Sequence, residues 1–180
     1  FQYIKEFKLI VLTPDDVDMV CEKLTNAGIS KSDCFVARVS HDAVPAYLSA
    51  ADFAFALYKS LPSRAFLSPI KMGEYWANAL PVLLTEGVGD DSGIIQHEGG
   101  GVMFDFYESG SVARSLEAIH KLVSRSDRKE LSQTISKLAV KYRSFDRVRE
   151  IYESILLNHD FRPNFRGSGY NTAPCFIYYL

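Results

Sequence analysis

The sequence predicts a doubly wound α/β fold, in which helices flank a sheet of parallel strands. Two observations predict it. Short apolar runs rich in β-branched residues alternate five times with stretches whose apolar residues recur at helical spacing. The chain has 180 residues, of which 47% are hydrophobic, so it is long enough to bury one sizeable core and corresponds to one domain.

The first strand and the first helix are predicted by an apolar run and a helix-start signal. "KLIVLT" at 8–13 has the composition of a buried strand. Thr13 and Pro14 then provide an N-cap and the favoured first residue of a helix. The apolar residues that follow keep helical spacing, and Gly28 predicts the end of this helix.

The next segment repeats the alternation. "CFVARV" at 34–39 predicts a second strand, and a short helix is predicted around 43–50. "FAFAL" at 53–57 predicts a third strand, and a loop at 58–68 follows it.

The fourth and fifth strands enclose a glycine-rich connection. "VLLT" at 82–85 predicts the fourth strand and "GVMF" at 101–104 the fifth. Between them, Gly87, Gly89 and Gly93 indicate a loop, which one short helix follows. Helix-forming segments between successive strands require crossover connections, so the strands are predicted to be parallel.

Three amphipathic helices are predicted after the last strand, with apolar stripes that begin at Val112, Leu131 and Phe145. Ser144 is predicted to cap the third. The domain is therefore predicted to span 1–157. The remainder has no hydrophobic period and begins rich in Gly, Pro and Asn, which predicts an irregular tail at 158–180.

A helix predicted over 69–79 carries a lysine where a helix start disfavours one. With Ser68 as N-cap and Pro69 first, Lys71 is the third helical residue, at a cost of about 0.3–1 kcal/mol from the macrodipole. A diphosphate bound across the helix start would make this lysine favourable, and Glu74 on the same side can accept hydrogen bonds from ribose hydroxyls. Alternatively, Lys71 and Glu74 form a surface ion pair without function. The spacing alone favours neither interpretation.

The composition excludes several other functions. The net charge is −2 and the basic residues are scattered, which argues against nucleic-acid binding. The three cysteines lie far apart, as is typical of reduced cytosolic thiols, and no apolar run approaches the ~20 residues of a membrane span. The four histidines lack metal-ligand spacing, so no metal site is predicted.

A few further residues have two interpretations each. His41 follows a strand on the ligand side, where contact with a ligand and a plain helix-start role are equally compatible with the sequence. Asp90 and Asp91 are predicted to cap the short helix after the glycine-rich loop, in preference to acting as general bases. Arg64 can serve a phosphate, although an exposed loop arginine is the favoured interpretation.

The stretch at 44–104, "VPAYLSAADFAFALYKSLPSRAFLSPIKMGEYWANALPVLLTEGVGDDSGIIQHEGGGVMF", resembles the C-terminal, nucleotide-sugar-binding domain of family 4 glycosyltransferases. The features that carry the resemblance are "SPIKMGEYWANALPV", the "GVGD" loop and "IYESIL" at 151–156, in that order. These enzymes have the GT-B fold, are retaining and metal-independent, and many make bacterial polysaccharides. The resemblance therefore implies a Rossmann-like domain, one half of a GT-B fold, without a cofactor other than the nucleotide-diphospho-sugar donor.

The resemblance also implies roles for particular residues. Glu74 matches the second glutamate of the E-x7-E signature, which holds the nucleotide ribose, and Lys71 fits the branch that writes this segment "SP.K". The resemblance implies that the backbone of Ser68, Pro69 and Ile70, at the helix start, faces the diphosphate. It also implies that Val39 and Ser40, just past the second strand, lie by the base.

The sequence departs from the family pattern in three ways. Phe66 stands where the first glutamate of E-x7-E, which contacts the donor sugar, is expected. Asn78, Ala79 and Leu80 stand where the family usually has two small residues and a glycine before the proline. The family's first strand would precede residue 8, and the N-terminal acceptor domain is missing, so the chain is expected to be about half of a two-domain transferase and inactive or nearly so alone.

For the whole enzyme, the resemblance implies a cytoplasmic location, with peripheral contact to the inner face of the membrane through the missing domain. Two alternatives remain open. The chain is a non-catalytic nucleotide-sugar-binding or scaffolding domain, which the loss of the acid at Phe66 favours, or it belongs to another GT-B enzyme such as a nucleotide-sugar epimerase.

Overall fold

The computed structural model describes residues 7–59 and 61–157. Within them, five short strands alternate with helices, as the sequence predicts. The strands are β1 Leu9–Leu12, β2 Cys34–Ala37, β3 Ala54–Ala56, β4 Val82–Thr85 and β5 Gly101–Phe104. The helices are α1 Val17–Asn26, α2 Val44–Leu48, α3 Ile70–Ala77, α4 Asp91–Glu98, α5 Ser111–Val123, α6 Arg128–Arg143 and α7 Phe145–Leu157. The predicted tail at 158–180 lies outside the described residues.

All strand pairs are parallel, which confirms the predicted fold class. β1 pairs with β2, with Leu9 opposite Cys34. β4 lies between β3 and β5, with Val82 opposite both Ala54 and Gly101. The described strands therefore pair in two sets, β1–β2 and β3–β4–β5, and no pairing joins the two sets.

The start of α1 differs from the prediction. The helix begins at Val17 and not after Thr13, because the Asp16 carboxylate accepts a hydrogen bond from the Met19 amide at 2.9 Å and caps it. The Thr13 hydroxyl instead accepts from the Asp15 amide at 3.1 Å, which makes a tight turn before the helix. Gly28, with φ 86°, ends the helix as predicted.

The helix that carries Lys71 also starts later than predicted. Pro69 is the N-cap, with ψ 119°, so its backbone is extended and Ser68 does not cap the helix. Lys71 is consequently the second residue of α3 and not the third. The loop before it, predicted as irregular, contains a 3₁₀ turn over Pro62–Phe66.

The core lies between α3, α6 and the three-stranded sheet. Met72 and Trp76 of α3 are fully buried against apolar residues of β4 and α6, among them Val82, Leu84 and Ile135. The Trp76 indole donates a hydrogen bond to the Gly100 carbonyl at 3.0 Å. This packing fixes α3 on the sheet, and with it every side chain that α3 carries.

The chain divides into two compact units, Phe1–Ser144 and Phe145–Leu180. The described part of the second unit is α7, whose surface carries ion pairs one turn apart, such as Arg149–Asp146 at 3.0 Å. Within 7–59 and 61–157, no helix combines the length and apolar character that crossing a bilayer requires.

Candidate functional site

The residues predicted to bind a nucleotide-diphospho-sugar lie in two connections that follow strands and on the helix after the second. They are the turn after β2, the segment 57–69 between β3 and α3, and the first turns of α3. In parallel α/β folds, ligands bind beyond the carboxyl ends of the strands, where such connections meet. The loop after β4, with Gly87 and Gly89, joins the same group.

The start of α3 has no side-chain cap. Pro69 carries no amide hydrogen, and the Met72 amide turns back to the Pro69 carbonyl at 3.1 Å. Ser68, Ile70 and Lys71 are exposed around this uncapped turn, with Ile70 81% exposed. An uncapped helix start attracts anions, because its first amides lack acceptors and lie at the positive end of the macrodipole.

Lys71 and Glu74 do not pair with each other among the described residues. Glu74 instead lies 3.9 Å from the imidazole of His41, measured from Oε1 to Nε2. The functionless surface pair that the spacing allowed is therefore not formed. Lys71 is left exposed, without an ion-pair partner in the described part of the chain.

The contact between His41 and Glu74 brings the turn after β2 to α3. Ser40 caps a 3₁₀ turn at His41–Ala43 with its backbone and is exposed, while Val39 before it is half-buried. The strands β2 and β3 belong to separate sets, so this contact is what places the turn that follows Val39 and Ser40 beside α3. The sequence indicated only one partner of this contact, a histidine placed directly after a strand, and not that Glu74 lies beside it.

Arg64 is not the exposed loop arginine that the sequence favoured. It is half-buried in the 3₁₀ turn, and its Nη1 is fully buried without a hydrogen-bond partner among the described residues. Its guanidinium lies beside Gly87, and its carbonyl accepts hydrogen bonds from the amides of Leu67 and Gly89, at 3.1 and 3.0 Å. Arg64 thus ties the segment before α3 to the loop after β4.

Asp91 is a buried carboxylate, which the sequence did not indicate. It is fully buried at the start of α4, and its Oδ1 accepts a hydrogen bond from Arg143 Nη2 at 2.5 Å, while Oδ2 has no partner among the described residues. Burial raises the pKa of Asp91, and Arg143 opposes that rise. Burial and the charge of Asp91 likewise raise the pKa of the Tyr58 phenol, at the end of β3.

The predicted capping role of Asp90 and Asp91 is wrong in its detail. Asp90 occupies the N-cap position of α4 but makes no capping hydrogen bond through its side chain. Asp91 is the first residue of the helix, and its carboxylate points to Arg143 of α6 instead. Ser92 provides the local contact, because its hydroxyl accepts from the Val88 amide at 2.9 Å.

Phe66, which stands where the resemblance expects a glutamate, is 90% exposed. Among the described residues, no cluster of three His, Cys, Asp or Glu side chains could hold a metal ion. The charged side chains of the predicted site are therefore Arg64 in the turn before α3, and Lys71 and Glu74 on α3, with His41 beside the last.

Neither a protein-family model nor a curated protein sequence matches the chain. Among solved structures, the chain is similar to WaaG, a glycosyltransferase involved in lipopolysaccharide biosynthesis, with a TM-score of 0.58 and 19% sequence identity. The match covers 84% of this chain and 38% of WaaG, so the chain spans well under half the length of that structure.

The likeness to WaaG shows the fold. The chain has a glycosyltransferase-like α/β fold with parallel strands, as the sequence resemblance implied. Assignment to family 4, to the donor-binding half and to particular site residues rests on the sequence resemblance and on the geometry described above.

Proposed function

We propose that this chain is the donor-binding domain of a glycosyltransferase, which moves a sugar from a nucleotide-diphospho-sugar to a glycan or lipid-linked acceptor. One observation carries the proposal. The uncapped start of α3, whose Lys71 has no ion-pair partner among the described residues, follows the 3₁₀ turn of the half-buried Arg64 in the connection after β3. Two cations and a helix start in one connection that follows a parallel strand are suited to a diphosphate.

In this proposal, the two charged residues of α3 act on different parts of the donor. The Lys71 ammonium and the first amides of α3 hold the diphosphate, with Arg64 behind them. Glu74, one turn further along, accepts hydrogen bonds from the ribose hydroxyls. Val39 and Ser40, which precede His41 in the turn beside Glu74, line the space for the base.

The contribution to catalysis is electrostatic. In sugar transfer, the bond between the sugar carbon and the diphosphate oxygen breaks, and the diphosphate leaves with the electron pair. The acceptor hydroxyl oxygen forms the new bond to that carbon, and its proton passes to the departing diphosphate. Lys71 and the α3 amides stabilise the charge that grows on the diphosphate, which lowers the barrier. Glu74 fixes the donor so that the reacting carbon faces the acceptor.

Calorimetric titration with UDP-, GDP- and ADP-sugars tests the proposal. We expect one nucleotide to bind, Lys71→Ala to weaken its affinity by about 10- to 100-fold, and Glu74→Ala to weaken it by about tenfold, since each loses a charge-assisted hydrogen bond. Lys137→Ala and Glu130→Ala provide matched controls, because each makes the same chemical change at an exposed residue of α6, away from the start of α3.

Two results would contradict the proposal. If none of the nucleotide-sugars binds, the proposed function is wrong. If the α6 controls lose as much affinity as Lys71→Ala and Glu74→Ala, only the overall charge of the chain matters. A base preference, if found, identifies the donor class.

A non-catalytic nucleotide-sugar-binding or scaffolding domain is the second candidate. The exposed Phe66 favours it, because a phenylalanine cannot make the hydrogen bonds that the family's first glutamate makes to the donor sugar. Equal affinity of the chain for the nucleotide-sugar and for the free nucleoside diphosphate would support this second candidate. The sugar of the nucleotide-sugar would then make no contact with the protein that adds to its affinity.

A further inference from the structure

A cavity of about 330 Å³ lies at the amino ends of β3 and β4. It is bounded by the connection from α2 to β3, the connection from α3 to β4, the end of α5 and the first turn of α6. The residues predicted to bind the donor follow the carboxyl ends of strands or lie on α3, and none of them lines this cavity. Its volume is within the range of about 300–1,000 Å³ that small-molecule sites have.

The charged groups of this cavity neutralise each other. Arg128 Nη2 donates a hydrogen bond to Asp52 Oδ1 at 2.5 Å, and the described residues that line the cavity include no other charged side chain. A charged ligand would find no free counter-charge here and would have to compete with this ion pair. A neutral ligand leaves the pair intact, so a neutral ligand is favoured.

The polar groups that remain at the cavity are mostly hydrogen-bond acceptors. The carbonyls of Ser49, Ala50 and Ala79, which follow the ends of α2 and α3, accept no hydrogen bond from the described residues. The carboxamide oxygen of Asn78 and the hydroxyl of Ser132 also have no hydrogen-bond partner in that part of the chain. A ligand that satisfies these groups must offer several donors while it stays neutral, and hydroxyl groups meet both conditions.

The same cavity has an apolar part. Leu80 and Pro81 are buried and Leu131 is half-buried, and all three line the cavity. A sugar ring has the two matching surfaces, because hydroxyls surround its edge and C–H groups cover its faces. An acyclic polyol has the hydroxyls without a fixed apolar face, so it matches the cavity less well.

We propose that this cavity is a second binding site, which takes a neutral sugar residue. The sugar hydroxyls donate to the carbonyls of Ser49, Ala50 and Ala79 and exchange a hydrogen bond with Ser132. A C–H face of the ring packs on Leu80. The inference goes beyond the proposed function, because the site shares no residue with the donor site and its ligand needs no phosphate or nucleotide.

Titration of the isotope-labelled full chain with glucose, galactose and N-acetylglucosamine, followed by NMR of its amides, tests the inference. We expect at least one sugar to shift the amides of Ala50, Ala79 and Ser132 saturably, with a Kd of about 1–10 mM. The amides of Lys71 and Glu74 should not shift. Sorbitol, which lacks the ring, and glucuronate, which adds a charge, should each bind at least about fivefold more weakly.

Two pairs of variants test the residues of the site. Ser132→Ala should weaken binding about two- to tenfold, because one hydrogen bond between neutral groups is lost. Ser136→Ala is its matched control, one turn further along α6 and outside the cavity lining. Arg128→Gln should weaken binding by a similar factor, because it breaks the ion pair at the cavity. Arg125→Gln is its control, since Arg125 pairs with Asp127 and neither residue lines the cavity.

Four results would overturn the inference. They are no saturable shift at the cavity with any of the three sugars, equal binding of sorbitol, tighter binding of glucuronate, and sugar-induced shifts at Lys71 and Glu74 in place of the cavity. Equal losses of affinity in a variant and its matched control would also contradict it. Amide spectra that are unchanged away from each substitution show that the variants fold. Failure of the nucleotide titration would leave this result unaffected.

Discussion

Ala79 adopts a backbone conformation that favours glycine. Its φ is 57°, directly after the end of α3, where the amides of Ala79 and Leu80 donate to the carbonyls of Trp76 and Tyr75. This is the hydrogen-bond pattern of a Schellman motif, whose left-handed residue costs about 1–2 kcal/mol when it has a Cβ. The alanine at this position therefore costs the folded protein stability that a glycine would not.

Ala79→Gly should stabilise the protein by about 0.5–1 kcal/mol, since relief of the left-handed strain exceeds the added chain entropy of glycine. Urea unfolding followed by circular dichroism measures the change. Gly28→Ala is the converse control, because Gly28 has φ 86° at the equivalent position of α1 and a Cβ there would meet no atom within 4 Å. It should destabilise by about 1 kcal/mol through backbone strain alone. A loss of stability in Ala79→Gly would contradict this account.

The loop after β4 and the segment before α3 are joined so closely that they behave as one element. Gly89 has φ 43°, its amide donates to the Arg64 carbonyl, and a Cβ on it would overlap the Leu67 carbonyl oxygen. The proposed diphosphate site therefore depends on Gly89 through the backbone of Arg64 and Leu67 that it packs against.

Gly89→Ala should destabilise the protein by about 2–3 kcal/mol, because the loop must move away from the backbone before α3. It should also weaken nucleotide-sugar binding, since Arg64 moves with the loop. Gly93→Ala is the matched control, because Gly93 lies inside α4 and a Cβ on it would meet no atom within 4 Å. It should stabilise by up to about 1 kcal/mol. Unchanged stability and unchanged nucleotide-sugar affinity in Gly89→Ala would contradict the coupling between the loop after β4 and the segment before α3.

The strands were more predictable than the starts of the helices. The bounds of β4 and β5 agree with the predicted 82–85 and 101–104, because uninterrupted apolar residues follow Pro81 and Gly100 and fill a buried strand. The start of α1 was missed because two candidate caps, Thr13 and Asp16, lie three residues apart and only geometry decides between them. Gly93, assigned from the sequence to the glycine-rich loop, lies inside α4, the short helix that was predicted to follow that loop.

At the scale of the whole unit Phe1–Ser144, a buried ion pair joins parts of the chain 52 residues apart. Asp91 at the start of α4 pairs with Arg143 at the end of α6, and the Cβ and Cγ of Arg143 lie close over Gly73 of α3. No local pattern reveals such a pair, which is why the sequence assigned Asp91 to a surface cap. The division of the strands into two sets was likewise beyond the sequence, because alternation predicts parallel strands and not their order.

Asp91 makes the stability of this unit depend on pH. Its pKa is raised above the ordinary value of 3.8, mainly by burial, so the folded protein holds this proton more tightly than the unfolded chain. Its contribution is fully present below the unfolded pKa and is lost as pH rises through the folded pKa. The unfolding free energy of the unmodified chain, minus that of Asp91→Asn, should therefore fall as the pH rises above about 4. Urea unfolding at several pH values measures it, and a flat or rising difference would refute it.

Trp76 is the single tryptophan of the chain, and its ring is fully buried with its N–H bonded to Gly100. Intrinsic fluorescence will therefore have one emitter, with an emission maximum shifted to the blue of free indole in water. Trp76 lies on the same helix as Lys71 and Glu74. Its fluorescence therefore reports, without any dye or label, whether α3 remains packed on the sheet when a ligand binds.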